Sequence, residues 1–305
     1  YKIDSGRIRP SKSLQDSIAK MLQGNREFIM LDEQKVVYEE ILDAARLSAK
    51  DSKKRVIIVK GGPGTGKSVV AVNLLAQLTR EDQFCQYVSK NSAPRNVYLK
   101  KLKGSIRKSS VDNMFKGSGS YTETENNMID TILADEAHRL NEKSGMFHNM
   151  GENQIKEIIH AAKCSVFFID ESQRVTLQDI GSVEEIKKWA AQEGACVTEM
   201  ELVSQFRCNG SDGYLAWLDN TLEIRETANY DMEDIDFDIR IFDSPEKMQE
   251  LIIERNNTSH NRARILAGYC WDWLKEGVNN PSVHDIKIGD FEISWNLKNT
   301  TTFAI

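Results

Sequence analysis

The sequence has 305 residues, with 40 Lys and Arg against 46 Asp and Glu for a net charge of −6, and 40% of its residues are hydrophobic. A length of this size predicts about two domains at roughly 100–200 residues each, and the composition excludes a collagen, a disordered tail and a disulfide knot. The apolar runs are all of strand length, too short for a membrane helix of roughly 20 residues, and the acidic balance excludes a polycation that coats nucleic acid over its whole surface.

Taken in chain order, residues 1–26 form an N-terminal helical segment, amphipathic around Leu14, Ile18 and Leu22 and without the character of a signal peptide. A helix follows with Val37, Ile41, Ala44, Ala45 and Leu47 on one face. Four runs, at 56–59, 84–88, 129–134 and 164–169, read as strands. Most are apolar on consecutive residues, as strands covered on both faces of a parallel sheet require. Helix patterns lie between them, such as Ile155, Ile158, Ile159 and Ala162 at i, i+3, i+4 and i+7. This alternation predicts an α/β fold with a parallel sheet. Residues 117–120, Gly-Ser-Gly-Ser, read as a flexible loop, and the acidic stretch from Leu222 to Ile239 as a solvated insertion. A further strand is expected at 264–269, and Trp271, Trp273 and Trp295 are read as core aromatics. The five cysteines, Cys85, Cys164, Cys196, Cys208 and Cys270, are scattered and never spaced Cys-x-x-Cys. They read as reduced thiols of a cytoplasmic protein, with no zinc site.

Between the first strand and the next helix lies Gly61-Gly62-Pro63-Gly64-Thr65-Gly66-Lys67-Ser68, the pattern G-x-x-x-x-G-K-[ST]. Its glycines let backbone N–H groups turn toward phosphate oxygens, and the helix that follows points its N-terminus at the anion. Lys67 is placed to reach the β and γ phosphates of ATP, and Ser68 to ligate Mg²⁺. Asp135-Glu136-Ala137-His138 follows the strand at 129–134, so its acids emerge at the carboxyl end of a sheet strand, where ligands bind in such folds. Asp135 would hold Mg²⁺ through water, and Glu136 would orient or deprotonate the attacking water. His138 either couples the nucleotide site to another segment or is a polar residue at a helix start. The strand at 164–169 ends in Asp170-Glu171-Ser172-Gln173-Arg174, and Gln173 is the candidate sensor of the γ-phosphate.

The order of these motifs, flanked by Leu31-Asp32-Glu33-Gln34 upstream and Leu202-Val203-Ser204-Gln205-Phe206-Arg207 downstream, resembles superfamily 1 helicases. Among these, the chain is similar to the bacterial relatives of the Schlafen group 3 helicase domain. Gly151-Glu152-Asn153-Gln154, Phe167-Phe168-Ile169-Asp170-Glu171, Ser204-Gln205-Phe206-Arg207-Cys208-Asn209-Gly210-Ser211 and Ala267-Gly268-Tyr269-Cys270-Trp271-Asp272-Trp273 carry the match. DEAH also marks superfamily 2, but no Ser-Ala-Thr motif follows it here.

The resemblance implies a RecA-like P-loop NTPase fold in tandem, with ATP in the cleft between two domains. The first would be nearly complete at residues 27–198, and 199–305 would be a partial second one. By matching position, Gln34 would recognise adenine. Arg207, from the second domain, would be the arginine finger, a device worth roughly 10³ to 10⁵ in rate. Relatives continue past the region corresponding to Phe303-Ala304-Ile305 into two further helicase motifs, so the sequence is expected to be truncated. Relatives often also carry an additional N-terminal domain, sometimes of nuclease type, and the resemblance implies room for one upstream of Tyr1.

Residues 90–110 carry seven basic side chains and no acidic one. They begin where the second strand ends, at the position of the helicase segment that contacts single-stranded DNA or RNA. Lys90, Asn91, Arg95, Lys100 and Lys101 are the candidate backbone contacts, and Tyr98 would stack on a base. The expected function is therefore the ATP-hydrolysing core of a helicase or translocase. The alternative is a nucleotide-gated binding module, as in a phage defence or stress system, that moves no strand.

Overall fold

A computed structural model describes Met30, residues 32–92, Asn96, residues 112–145, 149–174, 176–204, 212–231 and 238–258, and most of 263–294. The expected helical segment at 1–26 lies outside these residues. The chain forms two compact units, Tyr1–Glu233 and Asp234–Ile305. The division falls inside the acidic stretch at 222–239, whose described residues are exposed or half-buried.

The first unit begins with α1 (Asp32–Asp51), β1 (Arg55–Gly61), α2 (Lys67–Arg80), β2 (Cys85–Ser89), β3 (Phe115–Lys116) and β4 (Ile129–Asp135). It continues through α3 (Gln154–Ala161), β5 (Ala162–Ile169), α4 (Val183–Gln192), β6 (Cys196–Leu202) and α5 (Asp212–Thr221). The strands form one sheet in the order β3-β2-β4-β5-β1-β6. Every pairing in it is parallel, as expected of this α/β fold. One face packs on α1 and α2 through Ile57, Val59, Tyr87, Leu133, Val166 and Phe168. The other packs on α3 and α4 through Val56, Ile58, Ile132, Phe167 and Ile169. Burial on both faces explains the unbroken apolar runs, since alternate residues serve opposite layers.

Several local expectations need correction. In α1, Leu47 is 51% exposed, and Leu42 and Ser48 complete the buried stripe with Val37, Ile41 and Ala45. Two steps of 100° beyond Ala45 carry residue 47 off the face that residues 34, 37, 41, 45 and 48 share. Residues 118–120 form a 3-10 turn with Ser118 buried. β6 spans residues 196–202 and stays paired with β1 as far as Leu202. The strand expected at 264–269 is absent from the described residues 265–268, and Leu266 there is 93% exposed. No strand among the described residues pairs with it.

The second unit contains α6 (Pro245–Thr258) and the antiparallel pair β7 (Ile286–Ile288) and β8 (Phe291–Ile293). Trp271 is half-buried there and donates its indole N–H to the Lys287 carbonyl at 3.3 Å, so it is no core residue. Trp273 and Trp295 lie outside the described residues. Cys85 and Cys164 are buried free thiols, and Cys196 and Cys270 are exposed ones. Among the described residues, no helix is long and apolar enough to cross a membrane.

Lys54, just before β1, is a buried cation that ties the base of the sheet. Its ammonium donates to Asn127 Oδ1 at 2.7 Å and to the carbonyls of Ile159, His160 and Ala162 at 2.7, 2.9 and 3.0 Å. The first two of these carbonyls lie in the last turn of α3, where a helix offers no N–H donor of its own, and the third opens β5. Lys54→Met should remove the donor that these buried carbonyls share, with His160 keeping the Asn127 N–H at 3.0 Å, and cost about 2–3 kcal/mol. The expected readout is a lower urea midpoint at an unchanged slope. An unchanged midpoint would mean that water replaces the ammonium.

Candidate functional site

The sheet order sets the site. β1 is separated from β4 by β5, so the carboxyl ends of these three adjacent strands bring the 61–68 loop, Asp135-Glu136 and Asp170 to one edge. Residues Val59, Leu133 and Phe168 face the α2 layer. Two residues further along each strand come Gly61, Asp135 and Asp170, on the same face by the period of 2.

The loop turns through two left-handed glycines, Gly64 at φ +80° and Gly66 at φ +90°. A side chain at Gly66 would put its Cβ 2.1 Å from Gln34 Nε2. The N-cap of α2 is this glycine, with no side-chain cap, and the first turn of the helix carries no acid. Its leading N–H groups therefore form an anion-binding end. Lys67 is 7% exposed and folds back on the loop, donating to the carbonyls of Gly61 at 2.6 Å and Gly62 at 2.8 Å. Thr65 Oγ1 donates to the Gly62 carbonyl at 3.0 Å. Pro63 sits in the turn between these glycines. Gln34, expected at the adenine, lies 3% exposed and donates Nε2 to the Thr65 carbonyl at 2.9 Å.

Ser68 Oγ donates to Asp135 Oδ2 at 2.6 Å, across 67 residues of sequence. The same oxygen accepts the Tyr87 hydroxyl at 2.6 Å, and Oδ1 accepts the Glu136 N–H at 3.0 Å. Burial pushes the Asp135 carboxyl above its ordinary range, opposed by these donors. Tyr87 gives no motif signal, and its period-2 place one residue pair below the strand end is the only trace of its role. Beside them, Ser89 Oγ is buried with no hydrogen-bond partner among the described residues, in register with Asp135.

Glu136 adopts φ 55° and ψ 42°, a left-handed conformation that costs a non-glycine residue about 1–2 kcal/mol. Strain of this kind concentrates at functional positions. Its Oε2 lies 3.1 Å from His138 Nε2. The Asp170 N–H approaches His138 Nδ1 at 3.3 Å, so Nδ1 accepts and the ring proton sits on Nε2, facing Glu136. This bond, ahead of the opposing effect of burial, holds the Glu136 carboxyl below its usual range. His138 is 1% exposed and thereby joins the end of β4 to the end of β5.

At that second end Asp170 accepts Gln173 Nε2 at 2.7 Å and Ser172 Oγ at 2.6 Å. The candidate sensor is thus linked to Glu136 through Asp170 and His138. Gly181 seals the other side of this turn, since a Cβ there would lie 2.0 Å from the Ala137 carbonyl oxygen and 2.6 Å from His138 Cα.

Of the candidate strand contacts, Lys90 is held by Asn141 Oδ1 at 2.8 Å and Asp179 Oδ1 at 3.1 Å, and Asn91 is exposed. Arg95, Tyr98, Lys100 and Lys101 lie outside the described residues, as does Arg207.

Among solved structures, AMPPCP-bound DnaA from Aquifex aeolicus is 15% identical at a TM-score of 0.32, covering 79% of this chain and 67% of that one. Domain III of the Thermotoga maritima replication initiation protein DnaA is 14% identical at a TM-score of 0.34, covering 79% and 93%. C. elegans PCH-2 is 15% identical at a TM-score of 0.30, covering 82% and 62%. The chain spans just under two thirds, 64%, of a DNA replication initiation factor that it also matches. A search of curated proteins returned no match. The profile of the family described as "Schlafen group 3, DNA/RNA helicase domain" matches residues 54–304. That match runs from the lysine before β1 through the glycine loop, both acidic strand ends and all of the second unit but its last residue, and the chain belongs to the Schlafen group 3 DNA/RNA helicase domain family.

Proposed function

We propose that the chain is the ATP-binding and ATP-hydrolysing core of a superfamily 1-like helicase or translocase acting on single-stranded DNA or RNA. The observation that carries this reading is the 2.6 Å bond between Ser68 and Asp135, with Glu136 next in the chain. It unites the phosphate loop and the acidic strand end in the pairing that phosphoryl transfer requires.

Ser68 and Asp135 are hard oxygen donors and fit Mg²⁺. When bound, Mg²⁺ would neutralise charge on the β and γ phosphates. Lys67 would exchange its two loop carbonyls for phosphate oxygens, and the leading N–H groups of α2 would donate to the same phosphates. Glu136 would accept a hydrogen bond from the attacking water. A carboxylate held below its usual range is a weak base, so orienting the water outweighs deprotonating it early. Water oxygen would bond to the γ phosphorus as the bond to the β–γ bridging oxygen breaks, its proton passing late to Glu136 and on to solvent, giving ADP, phosphate and a proton. Arg207 would stabilise the charge on the transferred group. Since β6 pairs with β1 through Leu202, the second RecA-like domain is proposed to begin beyond that residue.

The test is Mg²⁺-dependent ATP hydrolysis with and without single-stranded DNA and RNA. Stimulation by strands is the expected result, and hydrolysis indifferent to them would favour the nucleotide-gated module. Exchanging Lys100, Lys101 and Lys103 for Glu should weaken strand binding and flatten its salt dependence, because each lost phosphate contact removes about one released counterion. Unchanged binding would place the strand elsewhere on the protein.

A further inference from the structure

The first turn of α1 holds two separate parts of the first unit with adjacent side chains. Gln34 holds the phosphate loop at Thr65. Glu33 reaches the other way, and its Oε1 and Oε2 accept the N–H groups of Val203 and Ser204, each at 3.0 Å. These two N–H groups lie just past Leu202, the last residue paired with β1. Leu202 is itself in register with Gly61 of the loop, and a Cβ on Gly61 would come within 3.1 Å of the Leu202 carbonyl oxygen. Val203 is 71% exposed, so packing does not set the direction of the chain there. The two backbone bonds also hold the Glu33 carboxyl below its usual range, so the acceptor stays charged at neutral pH.

From this geometry we infer that Glu33 is a positioning residue, which fixes the exit of the chain toward Arg207 relative to the phosphate loop and so sets the rate of hydrolysis without contributing to nucleotide affinity. The inference rests on the reading of Arg207 as the arginine finger. A purely structural strand cap would hold residues 203–204 equally well but would leave the rate untouched when loosened.

The experiment compares kcat, KM for ATP and affinity for a fluorescent ATP analogue in the full chain carrying Glu33→Ala, Glu33→Gln, Arg207→Ala and Glu33→Ala with Arg207→Ala. Glu33→Ala should lower kcat about ten- to a hundredfold, the cost of misplacing a reacting group by about 1 Å, with analogue affinity within about twofold. Glu33→Gln, isosteric and able to accept one of the two bonds, should recover part of the loss. In the Arg207→Ala background, Glu33→Ala should have little further effect, because Glu33 acts through that residue. Independent, multiplying losses in the double variant, or a fall in affinity at unchanged kcat, would overturn the inference. If Lys67→Ala abolishes hydrolysis while Glu33→Ala behaves as wild type, the inference alone fails. If wild type and Lys67→Ala hydrolyse ATP alike, the ATPase reading fails and takes the inference with it.

Discussion

Lys67→Ala is expected to abolish nucleotide binding, lowering affinity at least about a hundredfold, a loss of roughly 3 kcal/mol. Two loop carbonyls hold the buried ammonium at 2.6 and 2.8 Å. A phosphate oxygen is a stronger partner than a carbonyl, since a charge-assisted bond contributes about 1.5–3 kcal/mol. The nearby helix end adds N–H donors but no full positive charge. Removing the lysine leaves the phosphates facing a neutral loop. Calorimetric titration with a non-hydrolysable analogue measures the loss, and thermal unfolding checks that the loop survives. Affinity within about threefold of wild type in a folded variant would sink the assignment.

Glu136→Gln should do the opposite to binding and more to the rate. The amide has the size of the carboxylate, and its oxygen still accepts from His138 Nε2, so the left-handed turn and the β4–β5 link persist. What disappears is the negative charge beside the attacking water. Hydrolysis should fall about 10²–10⁴-fold, the usual worth of such a group, while analogue affinity stays near wild type. Residual hydrolysis within a factor of a few would exclude Glu136 from the chemistry. A pair of variants, one that fails to bind and one that binds without turnover, separates this ATPase mechanism from a protein that only responds to nucleotide. A nucleotide-gated module would keep its output with Glu136→Gln and lose it with Lys67→Ala.

The parts of this site legible in the sequence are those whose chemistry is local. β1, the glycine loop and the start of α2 are contiguous, and only glycine satisfies φ +80° and +90° at positions 64 and 66. The consecutive apolar runs marked the four central strands because both faces of each are covered. β6 escaped notice for the complementary reason, since its residues before Leu202 are mostly exposed and its Thr198, Glu199 and Glu201 are polar. β3, at two residues, carries no periodicity at all. Tyr87 reads as one more core aromatic until its hydroxyl is seen 2.6 Å from Asp135. Glu33 meets partners 170 and 171 residues away, a distance over which no spacing rule operates. Lys90 reads from the sequence as a candidate strand contact in a basic strip, and no spacing rule reveals the ion pair it makes. Its buried partner Asp179, which also pairs with Arg139 at 3.2 Å, lies far along the chain.

The seat of Gly181 bears on how mutations in this protein would be interpreted. The residue touches no nucleotide in the proposed mechanism and has no side chain to donate, accept or carry charge. Yet almost any replacement would collide with backbone atoms of Ala137 and His138 and push the segment that aims Glu136. A screen for loss of activity would therefore score position 181 beside Glu136, the proposed catalytic carboxylate, and a map of such hits drawn without the steric reason would enlarge the candidate site by a residue that only makes room for it.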